Sequence, residues 1–499
     1  MRKAIAFIIV SLAVFAGVSH PFGIYWKNGV KAVLDIETSS ITVNGKKLDT
    51  GLVIPTDITY DGKYLWTCSR MESKAVAINM KGEYARVLDT PSALVGIAWD
   101  PDRKSLWVAS SRKIYRISPE DGTDYFSFQA PSSTISALDY ADGYLWAVDS
   151  KLKYIYQFDP DTGWMLNYFP YKGEKPTGIS YENGIAKITD FDLGRVVEVN
   201  INEFFKKKFL RGEGKKWRIK IKQGIIAGGK EVKKAVFHFA IPKDRSFQKI
   251  LKIAPDFKGS YRTEDEQKIL DCVIKNIKPG QRKECSVTIE AEIYPVHYFL
   301  NPEGIKGEIP ENVKKFYLRD GEKYDIYNPY IQATVKKILN GEENYYGKVR
   351  KIYHFVMETL HYELAGGWNP APVVLKRGSG SCSEYTFSFV SLLRAAGIPA
   401  RYVGSVVERG TGYDWVFHRW SEVYFPGYGW VPMDPQHGDS TNPLVQASGI
   451  GTLPAKFLVT TEAAGPLPSL GWTYNFSREI VSDSPDYRVI EIATWEKIK

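Results

Sequence analysis

The sequence predicts a multidomain chain in three parts: all-β propeller-like repeats, then an immunoglobulin-like β-sandwich, then an α+β domain that carries the chemistry. Three observations predict it. A strand–turn–strand unit recurs early, spaced by about 40 residues. A stretch of strict alternation follows. Two segments of helical period then appear among strands. At 499 residues the chain is too long for one ordinary core. Its 44% hydrophobic and 25% charged residues are those of a folded soluble protein, and 27 prolines, 42 glycines and 14% aromatics favour β structure over much of it.

The repeats come first. "ITYDGKYLW" (58–66), "IAWDPDRKSLW" (97–107), "LDYADGYLW" (138–146) and "ISYENGIAK" (179–187) each read as two short strands around a turn rich in Asp, Asn or Gly. Turns ending at Gly82, Gly122 and Gly163 lie between them. Such units cannot bury their faces alone, which is the signature of propeller blades. Residues 45–200 are assigned to them; four units are visible, leaving open a small closed ring or further blades that have lost the pattern.

Residues 205–300 read as the sandwich. "WRIKIKQGI" and "SVTIEAEIY" alternate as half-buried strands do, and "KPGQRK" is turn chemistry. Cys272 and Cys285 flank this turn, so a symmetric hairpin would set them opposite each other as a cross-strand disulfide. Cys68, in "YLWTCSR", reads as a small core residue.

Residues 301–465 form the α+β part. Val349, Ile352, Val356 and Leu360 make one apolar stripe at helical spacing. A second helix follows Cys382, with Gly397 as its stop and Pro399 beyond. The strands "ARYVGSVV", "HRWSEVYF" and "GWVPMD" come next, and 466–499 reads as a further β segment without chemistry.

Residues 1–20 read as a signal peptide or membrane anchor. Arg2 and Lys3 precede an apolar run from Ala4 to Val18, which is short beside the ~20 residues of a spanning helix. The rest of the chain is therefore expected outside the cytoplasm, secreted or held by its N-terminus. The net charge of +9 is local, since residues 202–235 hold 12 Lys or Arg against 3 Glu. With no nucleic-acid motif present, this is a solvated basic face.

Cys382 opens a helix, His418 opens a strand and Asp434 ends one. A helix start lowers a thiol pKa, an imidazole takes the proton, and a carboxylate behind the ring fixes its tautomer. The amides of the same helix start can stabilise an oxyanion. At "GSCSEYTFSFVSLLRAAGIPARYV" and "HRWSEVYFPGYGWVPMDP" the chain resembles the transglutaminase-like superfamily, whose core is papain-like. The resemblance covers residues 345–436. It implies a catalytic triad at Cys382, His418 and Asp434, with no metal and no organic cofactor.

Arg419 departs from the family, which commonly has a small or apolar residue after the histidine. Trp368 is a candidate cleft wall because the family often places an aromatic there. Glu384 reads as first-turn helix chemistry, His437 as a loop residue, and His354 and His361 as structural. No Cys/His spacing supports a zinc site.

The expected function is cysteine-dependent acyl transfer through a thioester, hydrolysing or transamidating peptide or amide bonds. The alternative is a non-catalytic extracellular protein that binds protein or glycan through the propeller. Partners would be a protein or peptide substrate at the cysteine and a surface glycan or protein on the propeller. Nucleic acid is not expected, and membrane only through an uncleaved N-terminal segment. A histidine-dependent lyase on the propeller is excluded, because no histidine lies between His20 and His238.

Overall fold

The computed structural model describes residues 11–12, 18–364 and 367–498. The segment read as signal peptide or anchor lies almost entirely outside the described residues. Among the described residues, no helix is long and apolar enough to cross a membrane. The chain divides into two compact units: one runs to Lys208 and takes in Ser440–Ala447, and the other holds Phe209–Asp439 and Ser448–Lys499.

The first unit is a ring of five four-stranded antiparallel sheets. Their inner strands are Pro21–Lys27, Pro55–Tyr60, Gly96–Asp100, Ile135–Ala141 and Pro176–Glu182. The repeat phrases quoted above are the first two strands of the last four sheets. Their "LW" residues Trp66, Trp107 and Trp146 are fully buried. Trp66 Nε1 donates to Asp61 Oδ2 at 2.7 Å and Trp107 Nε1 to Asp100 Oδ2 at 3.0 Å, so the turn aspartate serves the indole of the next strand.

A further sheet, Pro21–Lys27 to Lys46–Asp49, precedes residue 50 and was not among the four units visible in the sequence. It has the same Asn28–Gly29 turn at positive φ as a two-residue hairpin, but no tryptophan in its second strand. The ring closes when Thr177 Oγ1 of the fifth sheet donates to Phe22 O of the first at 3.1 Å. Five blades leave a narrow axis. A Cβ on Gly23 would sit 2.8 Å from Asp57 Cα, and one on Gly96 would sit 2.9 Å from Leu138 N. Asp57 bridges blades here, accepting from Ile97 N at 3.0 Å and Leu138 N at 2.9 Å. Burial drives its carboxyl pKa up despite those bonds.

In the second unit two sheets face each other. One orders Gln248–Pro255, Arg282–Ile293, Lys215–Ala227, Tyr487–Lys497 and Tyr413–Asp414; the other orders Ser260–Glu264, Gln267–Ile277, Val232–Ile241 and Phe476–Ser482. The last two strands of the chain thus pair inside the sandwich, and the α+β part is inserted between them and the strands that precede it. Alternation builds the core: Ile219 and Ile221 are buried while Lys220 is exposed. Cys272 and Cys285 are joined, with Cα atoms 6.5 Å apart. Their strands belong to different sheets, so the bond crosses the core instead of closing a hairpin ladder.

The inserted part centres on a four-stranded antiparallel sheet ordered Gly429–Met433, His418–Phe425, Ala400–Val407, Phe457–Ala463. The helix Cys382–Ala395 packs on it. Helix Tyr345–Thr359 turns Val349, Ile352 and Val356 inward, and Leu360 is buried just past its end. Gly397, at φ +77°, ends the Cys382 helix as expected.

Candidate active site

Cys382 is the first residue of its helix. Glu384, fully buried, fixes that helix start: its Oε2 accepts from Ser381 N and from Arg377 Nη2, both at 3.0 Å. Its Oε1 accepts from Asn369 N at 3.0 Å. The reading of Glu384 as first-turn chemistry agrees with these bonds. His418 begins its strand opposite Ser405, so the sheet register sets the height of the imidazole. Asp434 ends the next strand and caps the short helix Pro435–Gly438, its Oδ1 accepting from His437 N at 3.2 Å.

The structure brings the three together. His418 Nε2 lies 2.7 Å from Asp434 Oδ2. With Nε2 occupied, Nδ1 is left for the sulfur of Cys382, which hydrogen-bonds the His418 side chain. The ring packs against Trp420 and Phe457, with centroids 5.8 and 5.7 Å away, and those two rings also touch each other. Cys382 is 8% exposed, so its sulfur is nearly but not wholly enclosed. A cleft of about 350 Å³ is lined by His418 and Asp434 together with Arg409, His437, Asp439 and Lys456.

The electrostatics favour an ion pair. Burial pushes the Cys382 thiol up, but the His418 hydrogen bond and charge, the backbone N–H of Arg419 and the Arg419 cation carry it below its ordinary value. Burial pushes His418 down, and the Asp434 charge and hydrogen bond, with those of Cys382, outweigh this and raise it to about 10. Burial raises Asp434, and the His418 charge and hydrogen bond hold it below the usual carboxylate range.

Residues 332–435 match the family model described as the transglutaminase-like superfamily. This part of the chain is a transglutaminase-like domain. An uncharacterized protein of Bacillus subtilis, YebA, is 41% identical over 155 residues, which are 25% of this chain and 21% of that protein. An uncharacterized protein of Haemophilus influenzae is 30% identical over 149 residues, 24% of this chain and 40% of its own length. The chain therefore spans well under half the length of these curated relatives. A candidate cysteine protease from Cytophaga hutchinsonii is similar in structure at 14% identity, covering 58% of this chain and 93% of that one, with a TM-score of 0.43.

Within the transglutaminase-like domain, other charged residues of the sequence motifs turn out to be structural. Glu422 of "HRWSEVYF" is buried, with its Oε2 2.7 Å from Arg401 Nη2, and it also pairs with Arg245. His354 is buried against Arg350, 3.3 Å between Nε2 and Nη2, and burial takes its pKa down to about 2. Trp368 is placed over the Arg419 guanidinium, 5.1 Å from ring to carbon, with its centroid 6.3 Å from that of Tyr474; neither it nor Cys382 is among the residues lining the cleft of about 350 Å³.

Sequence reasoning missed Tyr474. Half-buried beside Cys382 and hydrogen-bonded to the Ser383 side chain, it comes from a loop some ninety residues downstream with no motif to mark it.

Proposed function

We propose that the chain is an extracytoplasmic cysteine-dependent acyl-transfer enzyme acting on peptide or amide bonds. The observation that carries the reading is the imidazole of His418 held between the Cys382 sulfur and the Asp434 carboxylate. In this reading the Cys382 thiolate adds to the amide carbonyl carbon. The amides at the start of the Cys382 helix face the developing oxyanion. Protonated His418 then gives its proton to the departing nitrogen as the C–N bond breaks, leaving a thioester on Cys382. Water, losing a proton to His418, breaks the thioester and releases the acid and the thiol. An amine in place of water gives transamidation. Hydrolysis is preferred because nothing in the sequence marks a second substrate pocket. Asp434 keeps the ring oriented throughout and stabilises its charged form whenever it holds the proton.

The Cys272–Cys285 bond supports an oxidising compartment, hence the extracytoplasmic placement. The competing reading is a non-catalytic binder that works through the propeller. That unit has a cavity of about 230 Å³ lined by Arg70, Lys175, Ser136 and Ser150 among others.

Alkylation of the purified chain by an electrophilic thiol probe separates the two. Wild type should label at least about tenfold faster than a free cysteine at neutral pH, with Cys382→Ala silent at that site and His418→Ala slow. Labelling no faster than a free cysteine would leave the binding reading standing. A glutamine-bearing peptide offered with and without a primary amine then distinguishes the acceptors: ammonia without amine incorporation identifies hydrolysis.

A further inference from the structure

We propose that Arg419 is a positioning residue for the nucleophile: a fixed cation, caged by aromatic rings, that holds the Cys382 sulfur as thiolate whether or not His418 carries a proton. The proposal rests on the acyl-transfer reading and deepens it. Four observations support it.

The first is burial. Arg419 has no solvent exposure, although arginine is almost never fully buried unless paired. Among the described residues no carboxylate lies within ion-pair distance of it, and its Nε and Nη1 are buried without a hydrogen-bond partner. Only Nη2 is satisfied, donating to the Trp472 carbonyl.

The second is the cage. The guanidinium carbon lies 4.3 Å from the centroid of Tyr474, 4.6 Å from Tyr402, 4.9 Å from Phe387 and 5.1 Å from Trp368. Ring faces of this kind attract a cation and do not neutralise it. A formal positive charge is therefore left over.

The third is place. Arg419 follows His418 directly, and its backbone N–H is near enough to the Cys382 sulfur to favour the thiolate. Phe387, one wall of the cage, is on the Cys382 helix, and Tyr474, another, hydrogen-bonds Ser383.

The fourth is charge. The titratable groups that feel this guanidinium are Cys382, Tyr324, Tyr402 and Tyr474, and Tyr474 also feels the Asp414 carboxylate. Burial raises all three phenols, so they stay neutral at working pH. That leaves the sulfur as the anion available to this cation. Without the arginine, a thiolate would share its pocket with the Asp434 carboxylate and the Tyr362 phenol, offset by a titratable imidazole, the helix start and the cleft cations Arg409 and Lys456.

The test follows thiolate formation in the full chain by its ultraviolet absorbance, with Cys382→Ala as baseline, and by iodoacetamide alkylation across the pH range. Arg419→Met should move the midpoint upward, lowering alkylation at about pH 6 by about tenfold while the alkaline plateau rate stays within about twofold. Arg419→Lys, which keeps the charge, should restore most of the midpoint. In His418→Ala, with Arg419 intact, the midpoint should remain at or below the ~8.5 of a free cysteine. Adding Arg419→Met should then carry it higher.

A purely structural arginine would lower the plateau and melting temperature of Arg419→Met and leave the midpoint in place, which overturns the proposal. Should Arg419→Met fail to fold, the His418→Ala midpoint decides alone, and a value above that of free cysteine overturns it. If wild type itself titrates as an ordinary thiol, the acyl-transfer reading falls first. If wild type is low and only His418→Ala moves it, Arg419 alone is dismissed.

Discussion

The strand His418–Phe425 carries buried charge at both ends, and the two ends are built differently. Toward its far end, Glu422 meets Arg401 and Arg245, and both arginines also meet Glu462. Two carboxylates face two guanidiniums, and the half-exposed Lys243 ammonium also meets Glu462, so every buried charge here has a fixed partner. At the near end, His418 and Arg419 face Cys382 and Asp434 with fewer bonds and two unpaired guanidinium nitrogens. The first arrangement has one protonation state over the whole working range. The second stays neutral by moving a proton between sulfur and imidazole. Full pairing makes a structural element, and incomplete pairing beside a nucleophile leaves a group that can change state within a catalytic cycle.

The largest effect expected from breaking this contrast is on turnover. Asp434→Asn keeps the size of the side chain and removes its charge, so amide turnover should fall by about 10²–10⁴-fold, as for other triad carboxylates. The sign of the pH effect follows from the raised His418 value. His418 moves from 6.5 when unfolded to about 10 when folded. Its contribution to stability is thus complete below the unfolded value and is lost as pH rises through about 10. Asp434 is depressed, so its contribution is present above 3.8 and is lost as pH falls through its folded value. In wild type the alkaline limb of activity should therefore lie near 10. In Asp434→Asn it should move down toward 6.5, and an unmoved limb would show that the carboxylate does not set the imidazole.

Next in size is stability at the other end of the strand. Glu422→Gln strands two buried arginines against one remaining carboxylate, and about 3–5 kcal/mol should be lost in denaturant unfolding. The alkylation midpoint of Cys382 should stay where it is. A shift of that midpoint would mean that the two charge clusters are one coupled network.

How much of this could be read in the sequence differs between the same two ends. Cys382, His418 and Asp434 each sit where an element begins or ends, so short motifs mark them. The ladder that aligns them follows from sheet register between near neighbours in the chain. Arg419 was visible as a departure, but its cage of Trp368, Phe387, Tyr402 and Tyr474 comes from four separate segments and exists only after folding. Arg245 reaches Glu422 from far upstream, beyond the range of any local pattern.

The propeller repeats show the same limit. The repeats at 58–66, 97–107 and 138–146 carry an indole in the second strand and the one at 179–187 does not; the blade beginning at Pro21 likewise has none, and its Asn28–Gly29 turn is the local mark it leaves. The last two strands alternated well enough to be strands, but nothing local says that they pair with Lys215–Ala227 and Val232–Ile241.

The smallest effect concerns the bond that crosses the sandwich core. Cys272 and Cys285 are 13 residues apart, and closing a loop of this size removes about 3 kcal/mol of unfolded-chain freedom. Replacing both by alanine should lower unfolding stability by about that amount, because both sulfurs are buried and little else is lost. The same variant should keep the wild-type midpoint for Cys382 alkylation. Stability would then have fallen without any change in the nucleophile, just as predicted for Glu422→Gln but by a route with no charge in it. Reduction of wild type by a dithiol should reproduce the loss. Two freely alkylated thiols at these positions before reduction would remove both the cross-link and its support for an oxidising compartment.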